Sequence, residues 1–451
     1  MKLSLCLGLM ATALLAAQEL TFTQIPVAHQ VLQRGADGTA VVMLAGDTKA
    51  GGLLEARVGN GTFAKISDIT VGPWKAAGPR LKTGGPYIMD VRFKPAVGRA
   101  VVKRVENIFV GDIWILSGQS NMVGRALMEG AEAGDPKVKA FTMEGKWAEA
   151  QEPLHEFSKG VAGVIRGTGL GLPFAKEMVR RTGVPIGLVP CAKGGTSLAQ
   201  WDPALVTEGR KSLYGNMLAR FQDAGGKAAG VLWYQGESDA PLKASGIYGE
   251  RFQSFVAKVR ADFGQADLPF YYAQIGRYAA EMESAYEGWN QVQEAQRLSE
   301  SVIPNSGMIS TIDSEMADQI HANRLALRRL GLRFAKLVLD RAKPRFVEAT
   351  WDDPYHLRVK FSGVTGKLSA GGGRVLGFSL HDETLKDRRL IYRSSIDPAS
   401  NSVVIEVIGA KPLPEQFYLG YGMGLNPACN LVDAADMALP VFGPVKLPPR
   451  P

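Results

Sequence analysis

The sequence is poor in cysteine and histidine, with three and five among 451 residues. Cys6 lies in the apolar N-terminal stretch, which leaves Cys191 and Cys429 for the rest of the chain. Two thiols exclude the disulfide framework of a small secreted scaffold. Both sit among apolar or small residues and read as buried free thiols, with one bridge between them left open in an oxidising compartment. No group of His, Cys, Asp or Glu has metal-ligand spacing, so neither a metal nor another cofactor is expected. Long charge runs are missing too. The net charge of +8 is scattered, apart from Arg180-Arg181, Arg328-Arg329 and Lys386 to Arg389. No nucleic-acid motif accompanies it, and that distribution describes a solvated basic surface with no nucleic-acid partner. The N-terminal run MKLSLCLGLMATALLAAQEL is too short for a membrane span. One Lys, an apolar run and the small residues Ala16-Ala17 make it a secretory signal over residues 1–17, so a secreted or periplasmic protein is expected.

What is present is glycine, 52 residues, and a change of pattern along the chain. At this length two or three domains are expected. From 18 to 106, short apolar runs such as Val41 to Leu44 and Tyr87 to Val91 are divided by Gly, Pro and Asn, the spacing of a small antiparallel β-sandwich. From 107 to 343, strand candidates recur at Ile108 to Leu116, Ile186 to Pro190, Gly230 to Tyr234, Phe270 to Ile275 and Met308 to Ile312. Between them lie segments with a helical apolar face, such as Phe252, Phe255, Val256, Val259 and Phe263. Strands alternating with helices predict an α/β domain, a parallel sheet covered by helices on both faces. From 344 to 451 the pattern returns to strands and reads as a second β-sandwich.

Four polar patches stand at the ends of predicted strands, where open α/β sheets bind ligands. The first follows Ile113 to Leu116 and reads Ser117-Gly118-Gln119-Ser120-Asn121; Ser120 is a candidate nucleophile, and equally a residue that caps a helix. The second is Lys193-Gly194-Gly195-Thr196, where paired glycines let backbone N–H groups approach a ligand, or simply make a turn. The third is Gln235-Gly236-Glu237-Ser238-Asp239. Its glutamine amide suits an oxyanion donor, and Glu237 suits a residue that orients a base or holds substrate; polar loop chemistry accounts for both as well. The fourth is Asp318-Gln319-Ile320-His321, where an Asp three residues before a His can orient the imidazole from one segment. Of the five histidines, His321 alone is read as having this setting.

Taken together, GQSNM, the GGT turn, WYQGES and the late D-x-x-H resemble the SGNH-type esterases of the sialate O-acetylesterase and acetylxylan esterase kind. VLQRG at Val31 to Gly35, GGPY at Gly84 to Tyr87 and VGDIWILSGQSNM extend the resemblance over most of the mature chain. It implies a flavodoxin-like, three-layer α/β/α esterase domain over 107–343 between the two β-sandwiches, without a metal. It implies Ser120 as nucleophile, His321 as base and Asp318 as its acid partner, with Glu237 as a rival acid that some relatives use. The Ser120 N–H, Gly194 or Gly195, and Gln235 become the oxyanion hole, Gly195 being preferred over Gly194. The sequence departs from the family where Ala322-Asn323-Arg324 stand in place of the usual Pro after the histidine and Lys two residues further on, a change expected to move the start of the final helix.

An acetylated carbohydrate is the implied substrate. Gln119, Asn121 and Trp201 are candidate contacts for it, and Arg277 or Arg125 for a sugar carboxylate. Trp233, Tyr234, Tyr248 and Trp289 also flank the motifs, as stacking surfaces or as core. A lipase or arylesterase of the same fold, or a catalytically silent glycan-binding protein, are the competing readings.

Overall fold

A computed structural model describes residues 20–155, 167–279, 288–409 and 416–451; the expected signal segment lies outside them. The described residues form two compact units, one within 1–113, 135–150 and 179–188, the other within 114–134, 151–178 and 189–451.

In the first unit, alternation of apolar and polar residues sets the strands. Thr39–Thr48 turns Val42 and Leu44 inward and pairs antiparallel with Leu20–Gln24 and Gly72–Lys82. Gly52–Val58 pairs antiparallel with Ala64–Ile69 and Gly84–Pro95, and Gly84–Pro95 with the first part of Val101–Gly118. Their inward faces share one core that includes Leu54, Met89, Phe93 and Val105. Val138–Phe141 runs parallel to Ile186–Pro190 and antiparallel to Trp147–Glu149.

The second unit is mixed α/β. Residues 114–118 of the long strand pair in parallel with Gly230–Tyr234, that strand with Phe270–Gln274, and that one with Ser306–Ser310. Every residue of the last three is buried. This is the continuous burial of parallel strands covered on both faces, and it explains why the sequence shows runs there rather than alternation. Helices follow the strands, among them Leu213–Asp223, Tyr248–Asp262, Trp289–Val302 and Arg324–Asp340. Tyr248–Asp262 buries Phe252, Phe255, Val256 and Val259, the face expected from their spacing.

The last of these helices shows what the altered residues after His321 do. Asn323 is its N-cap, and its side chain accepts the Ala326 N–H at 2.9 Å, satisfying one of the donors a helix start leaves unpaired. Nearly three turns beyond the cap, the buried Arg333 meets both oxygens of Asp313 at 2.7 Å and donates to the Asp436 carbonyl at 2.6 Å. Arg329 also pairs with Asp436.

Residues 345–446 add two antiparallel sheets. Arg345–Asp353, His356–Ser362, Ser402–Val407 and Ile391–Asp397 form one, and Phe378–His381, Tyr418–Tyr421 and Phe442–Lys446 the other. Leu357, Val359, Val403 and Ile405 from the first share a core with Leu380, Leu419, Tyr421 and Phe442 from the second. No described helix is long and apolar enough to cross a membrane.

Candidate active site

Ser120 is delivered by a turn that only glycine fits. Gly118 ends its strand at φ 129°, and a β-carbon there would lie 2.2 Å from the Tyr234 carbonyl oxygen. Without one, the chain turns hard against the neighbouring strand, and the Gln119 N–H donates to that same Tyr234 oxygen at 2.7 Å. Ser120 then opens a four-residue helix, Ser120–Val123, with no side-chain cap. Its N–H has no hydrogen-bond partner among the described residues. Gly194 comes close beside it: a β-carbon on Gly194 would sit 3.6 Å from Ser120 Cβ, whereas one on Gly195 would meet open space. Of the two glycines it is Gly194 whose side-chain direction faces Ser120.

His321 Nε2 lies 2.9 Å from Ser120 Oγ. Its Nδ1 lies 2.7 Å from Asp318 Oδ2, while Asp318 Oδ1 accepts the N–H groups of Ile320 at 2.9 Å and His321 at 2.8 Å. Partial burial opposes ionisation of Asp318, but the Ile320 N–H, the imidazole and the His321 N–H outweigh it and hold the carboxyl below its ordinary range. An ionised carboxylate on Nδ1 fixes the tautomer that leaves Nε2 free to accept a proton from Ser120.

Glu237 does not contact the imidazole. It is buried, its Oε1 accepts from Asn121 Nδ2 at 2.9 Å, and its Oε2 has no partner. Burial pushes its pKa up to about 7, against a backbone N–H and the Asn121 amide, with the Asp239 charge adding to the rise. Asn121 is correspondingly a brace rather than a substrate contact. Its amide also reaches the Ile320 carbonyl at 3.2 Å, and its oxygen accepts the Ala322 N–H at 3.0 Å, so it grips the His321 loop from both sides. Gln119 is buried as well; its Oε1 accepts the N–H groups of Gly236 at 3.4 Å and Ser238 at 3.3 Å, tying two strand-end loops together.

Gln235 is a second correction. Its Nε2 donates to the Thr196 carbonyl at 3.1 Å and to Asp239 Oδ2 at 2.6 Å. Both amide hydrogens are engaged there, so in this arrangement the side chain has none to give an oxyanion. Tyr248 and Gln296 complete the cage by donating to the Gln235 carbonyl at 3.0 and 2.9 Å.

With this geometry in hand, the comparisons with known proteins agree in kind. Residues 110–340 match the family described as "Carbohydrate esterase, sialic acid-specific acetylesterase". The chain belongs to this family of carbohydrate esterases. A "Probable carbohydrate esterase" of Arabidopsis thaliana is 30% identical over 252 residues, half of this chain and 90% of that protein. The "Sialate O-acetylesterase" of Mus musculus is 24% identical over 318 residues; the matched region is 53% of this chain and only 57% of the mouse protein. Among solved structures, a carbohydrate acetylesterase from Xanthomonas citri superposes with a TM-score of 0.71 at 25% identity, over 94% of this chain and 99% of that one. Carbohydrate acetylesterase chemistry is thus the activity of the group.

In this carbohydrate esterase the aromatic residues near the motifs are core. Trp201 is fully buried, packs edge-on against Trp233 at 5.3 Å and gives its indole N–H to Thr196 Oγ1 at 2.9 Å, so it offers no face to a sugar. Trp233 and Trp289 are buried likewise. Of the two candidates for a sugar carboxylate, Arg125 has no side-chain partner among the described residues, and Arg277 retains free capacity. Its Nη1 donates to Asn426 at 3.3 Å, its Nη2 to the Ser314 carbonyl at 3.1 Å, and its Nε is buried without a partner. No carboxylate pairs with it among the described residues. Its segment abuts the histidine loop, the Ala279 N–H donating to the Gln319 carbonyl at 2.8 Å. The hold of Asn426 and Leu425 on this segment, the latter through the Tyr278 N–H at 2.7 Å, has no sequence signal, because it joins residues about 150 apart. Both Cys191 and Cys429 are free; burial pushes the Cys191 thiol up to about 11. Among the described residues no three His, Cys, Asp or Glu side chains gather as metal ligands would.

Proposed function

We propose that the protein is an exported serine esterase that removes O-acetyl groups from sialic acid residues through an acetyl-enzyme. The observation that carries the mechanism is the unbroken relay from Ser120 Oγ through His321 to Asp318, at 2.9 and 2.7 Å. Ser120 Oγ attacks the acetyl carbonyl carbon as His321 Nε2 takes its proton. The Ser120 and Gly194 backbone N–H groups receive the negative charge on the carbonyl oxygen. Collapse breaks the bond to the sugar oxygen, which leaves with the proton from the imidazolium. Water, deprotonated by His321, then attacks the acetyl-serine and releases acetate. On this reading the α/β region is a three-layer SGNH-type domain with β-sandwiches on either side.

Arg277 supports the choice of a carboxylated sugar. A guanidinium with no carboxylate partner among the described residues and one hydrogen left on each of Nη1 and Nη2, in a segment bonded to the histidine loop, is suited to a fork-like contact with a sugar carboxylate. The test is acetate release from O-acetylated sialic acid, acetylated xylo-oligosaccharide and p-nitrophenyl acetate, using wild type, Ser120→Ala and Arg277→Gln. Ser120→Ala is expected to lose activity on all three. Arg277→Gln is expected to raise KM on the sialic acid alone. Full activity in Ser120→Ala overturns the mechanism, and faster turnover of the xylan ester than of the sialate ester overturns the substrate.

A further inference from the structure

Residues 344–451 contribute no group to the Ser120 relay, yet they carry a built cleft of their own. Between the 369–376 turn and the strand Ile391–Asp397 lies a cavity of about 720 Å³, and an adjoining one of about 320 Å³ shares Arg374, Val375 and Ser394 with it. Both fall within the range of about 300–1,000 Å³ usual for small-ligand sites. The floor is apolar and buried, formed by Leu368, Ala370 and Val375. At the rim stand Arg374, Tyr392 and Arg393, all exposed.

The charges at the rim are unbalanced. Arg393 is neutralised by Glu406 at 2.7 Å. Arg374 has no carboxylate partner among the described residues; its Nη2 donates to the Tyr392 carbonyl at 2.5 Å. Arg389, in the adjoining cavity, has no side-chain hydrogen bond or ion pair among the described residues. The larger cavity has no carboxylate in its lining and the smaller has one, Asp387, whose Oδ1 already accepts the Arg389 N–H at 2.9 Å. The rim is also held in place. Asn430 donates to the Ala370 and Arg374 carbonyls at 3.2 and 2.9 Å and accepts the Leu376 N–H at 2.9 Å, so the turn that bears Arg374 is fixed from below. Tyr392, 66% exposed, presents a ring beside a guanidinium bonded to its own backbone.

We infer that this cleft is a second carbohydrate site, which binds a carboxylated sugar residue of a glycan chain. Arg374 takes the carboxylate through its guanidinium fork, Tyr392 stacks on the apolar face of the pyranose, and Arg389 meets the next acidic residue. An arginine without a carboxylate partner, beside an exposed aromatic ring and above an apolar floor, suits a carboxylate carried on a sugar ring. The site lies outside the relay, so the inference does not depend on which acetylated sugar Ser120 processes; its role is to hold an acidic glycan while the esterase works along it.

The test is calorimetric titration of the full-length protein with a galacturonate hexamer, with xylohexaose and with a hexanucleotide of DNA as comparisons, in 0.15 M salt to screen loose attraction to the basic surface. The hexagalacturonate is expected to bind at least tenfold more tightly than either comparison. Arg374→Gln and Tyr392→Ala are each expected to weaken it at least fivefold while leaving p-nitrophenyl acetate turnover and thermal midpoint at the wild-type values. Arg277→Gln is expected to leave this binding unchanged, which separates the cleft from the substrate reading above. Equal binding of the neutral hexamer or of DNA, unchanged affinity in both cleft variants, or loss of binding in Arg277→Gln would each overturn the site.

Discussion

The same four-residue turn occurs twice in this protein. In Asp318-Gln319-Ile320-His321 the aspartate accepts two backbone N–H groups on one oxygen and holds the imidazole Nδ1 on the other at 2.7 Å. In Asp353-Pro354-Tyr355-His356 it does likewise, taking the N–H groups of Tyr355 and His356 at 2.7 and 3.0 Å and Nδ1 at 2.7 Å. Both carboxyls are held below their ordinary range, Asp353 by the Tyr355 N–H and the imidazole, Asp318 against its partial burial. The expectation that His321 alone has such an aspartate is therefore corrected: His356 has the same spacing and the same bonds. What differs lies beyond the turn. The His321 side chain is 11% exposed and its Nε2 meets Ser120, whereas that of His356 is 43% exposed and stands at the start of a strand in the C-terminal region. A D-x-x-H turn makes an oriented imidazole. What sets the first turn apart is the Ser120 hydroxyl placed before its free nitrogen, which is the nucleophile of the mechanism proposed above.

Breaking the acid in each turn separates these two cases most strongly. Asp318→Asn removes the charge that fixes the His321 tautomer and is expected to lower kcat by about 10³-fold or more, in line with the loss of about 10⁴-fold seen for the same change in a serine protease. Steady-state kinetics on p-nitrophenyl acetate would detect it, and a loss of less than tenfold would remove Asp318 from the relay.

A smaller effect contrasts the half-exposed acid on the histidine with the buried acid behind it. The Glu237 carboxyl is raised from 4.5 to about 7, so the folded protein holds this proton more tightly than the unfolded chain. Its contribution favours the fold below about pH 4.5 and is lost as pH rises through about 7. Glu237→Gln, which cannot ionise, is expected to be more stable than wild type at pH 8 by up to about 3 kcal/mol, with the difference vanishing near pH 4. Urea unfolding at the two pH values measures it. A wild type as stable as the variant at pH 8 would mean that the buried carboxyl ionises without penalty. The smallest effect belongs to the second turn: Asp353→Asn is expected to keep kcat within twofold, and a larger loss would mean that the two turns are not functionally distinct.

Much of the central sheet was legible because parallel strands buried on both faces need continuous apolar runs. Phe270 to Ile275 was expected and Phe270–Gln274 is found; Gly230 to Tyr234 matches residue for residue. The loops that carry Ser120, Gly194 and His321 were legible as polar breaks after those runs. Direction was not. Gln235 has the right chemistry for an oxyanion donor, but Asp239 and the Thr196 carbonyl, one of them from another loop, decide where its amide points. Trp201 has the right ring for a sugar, but its N–H finds Thr196 in the interior. Gln119 and Asn121 lie in the most distinctive motif, yet their partners at Gly236, Ser238, Ile320 and Ala322 are more than a hundred residues away. Residue type shows what a side chain can do, and the fold selects which neighbour receives it.

The most direct test of the relay is the rate and position of labelling by a serine-reactive fluorophosphonate in wild type, Asp318→Asn and Asp353→Asn, read by peptide mass. The expected result is a single adduct on Ser120, formed at the wild-type rate in Asp353→Asn and at least about a hundredfold more slowly in Asp318→Asn, since the imidazole must take the Ser120 proton for attack to occur. An adduct on another residue, or equal labelling of Ser120 in wild type and Asp318→Asn, would contradict it.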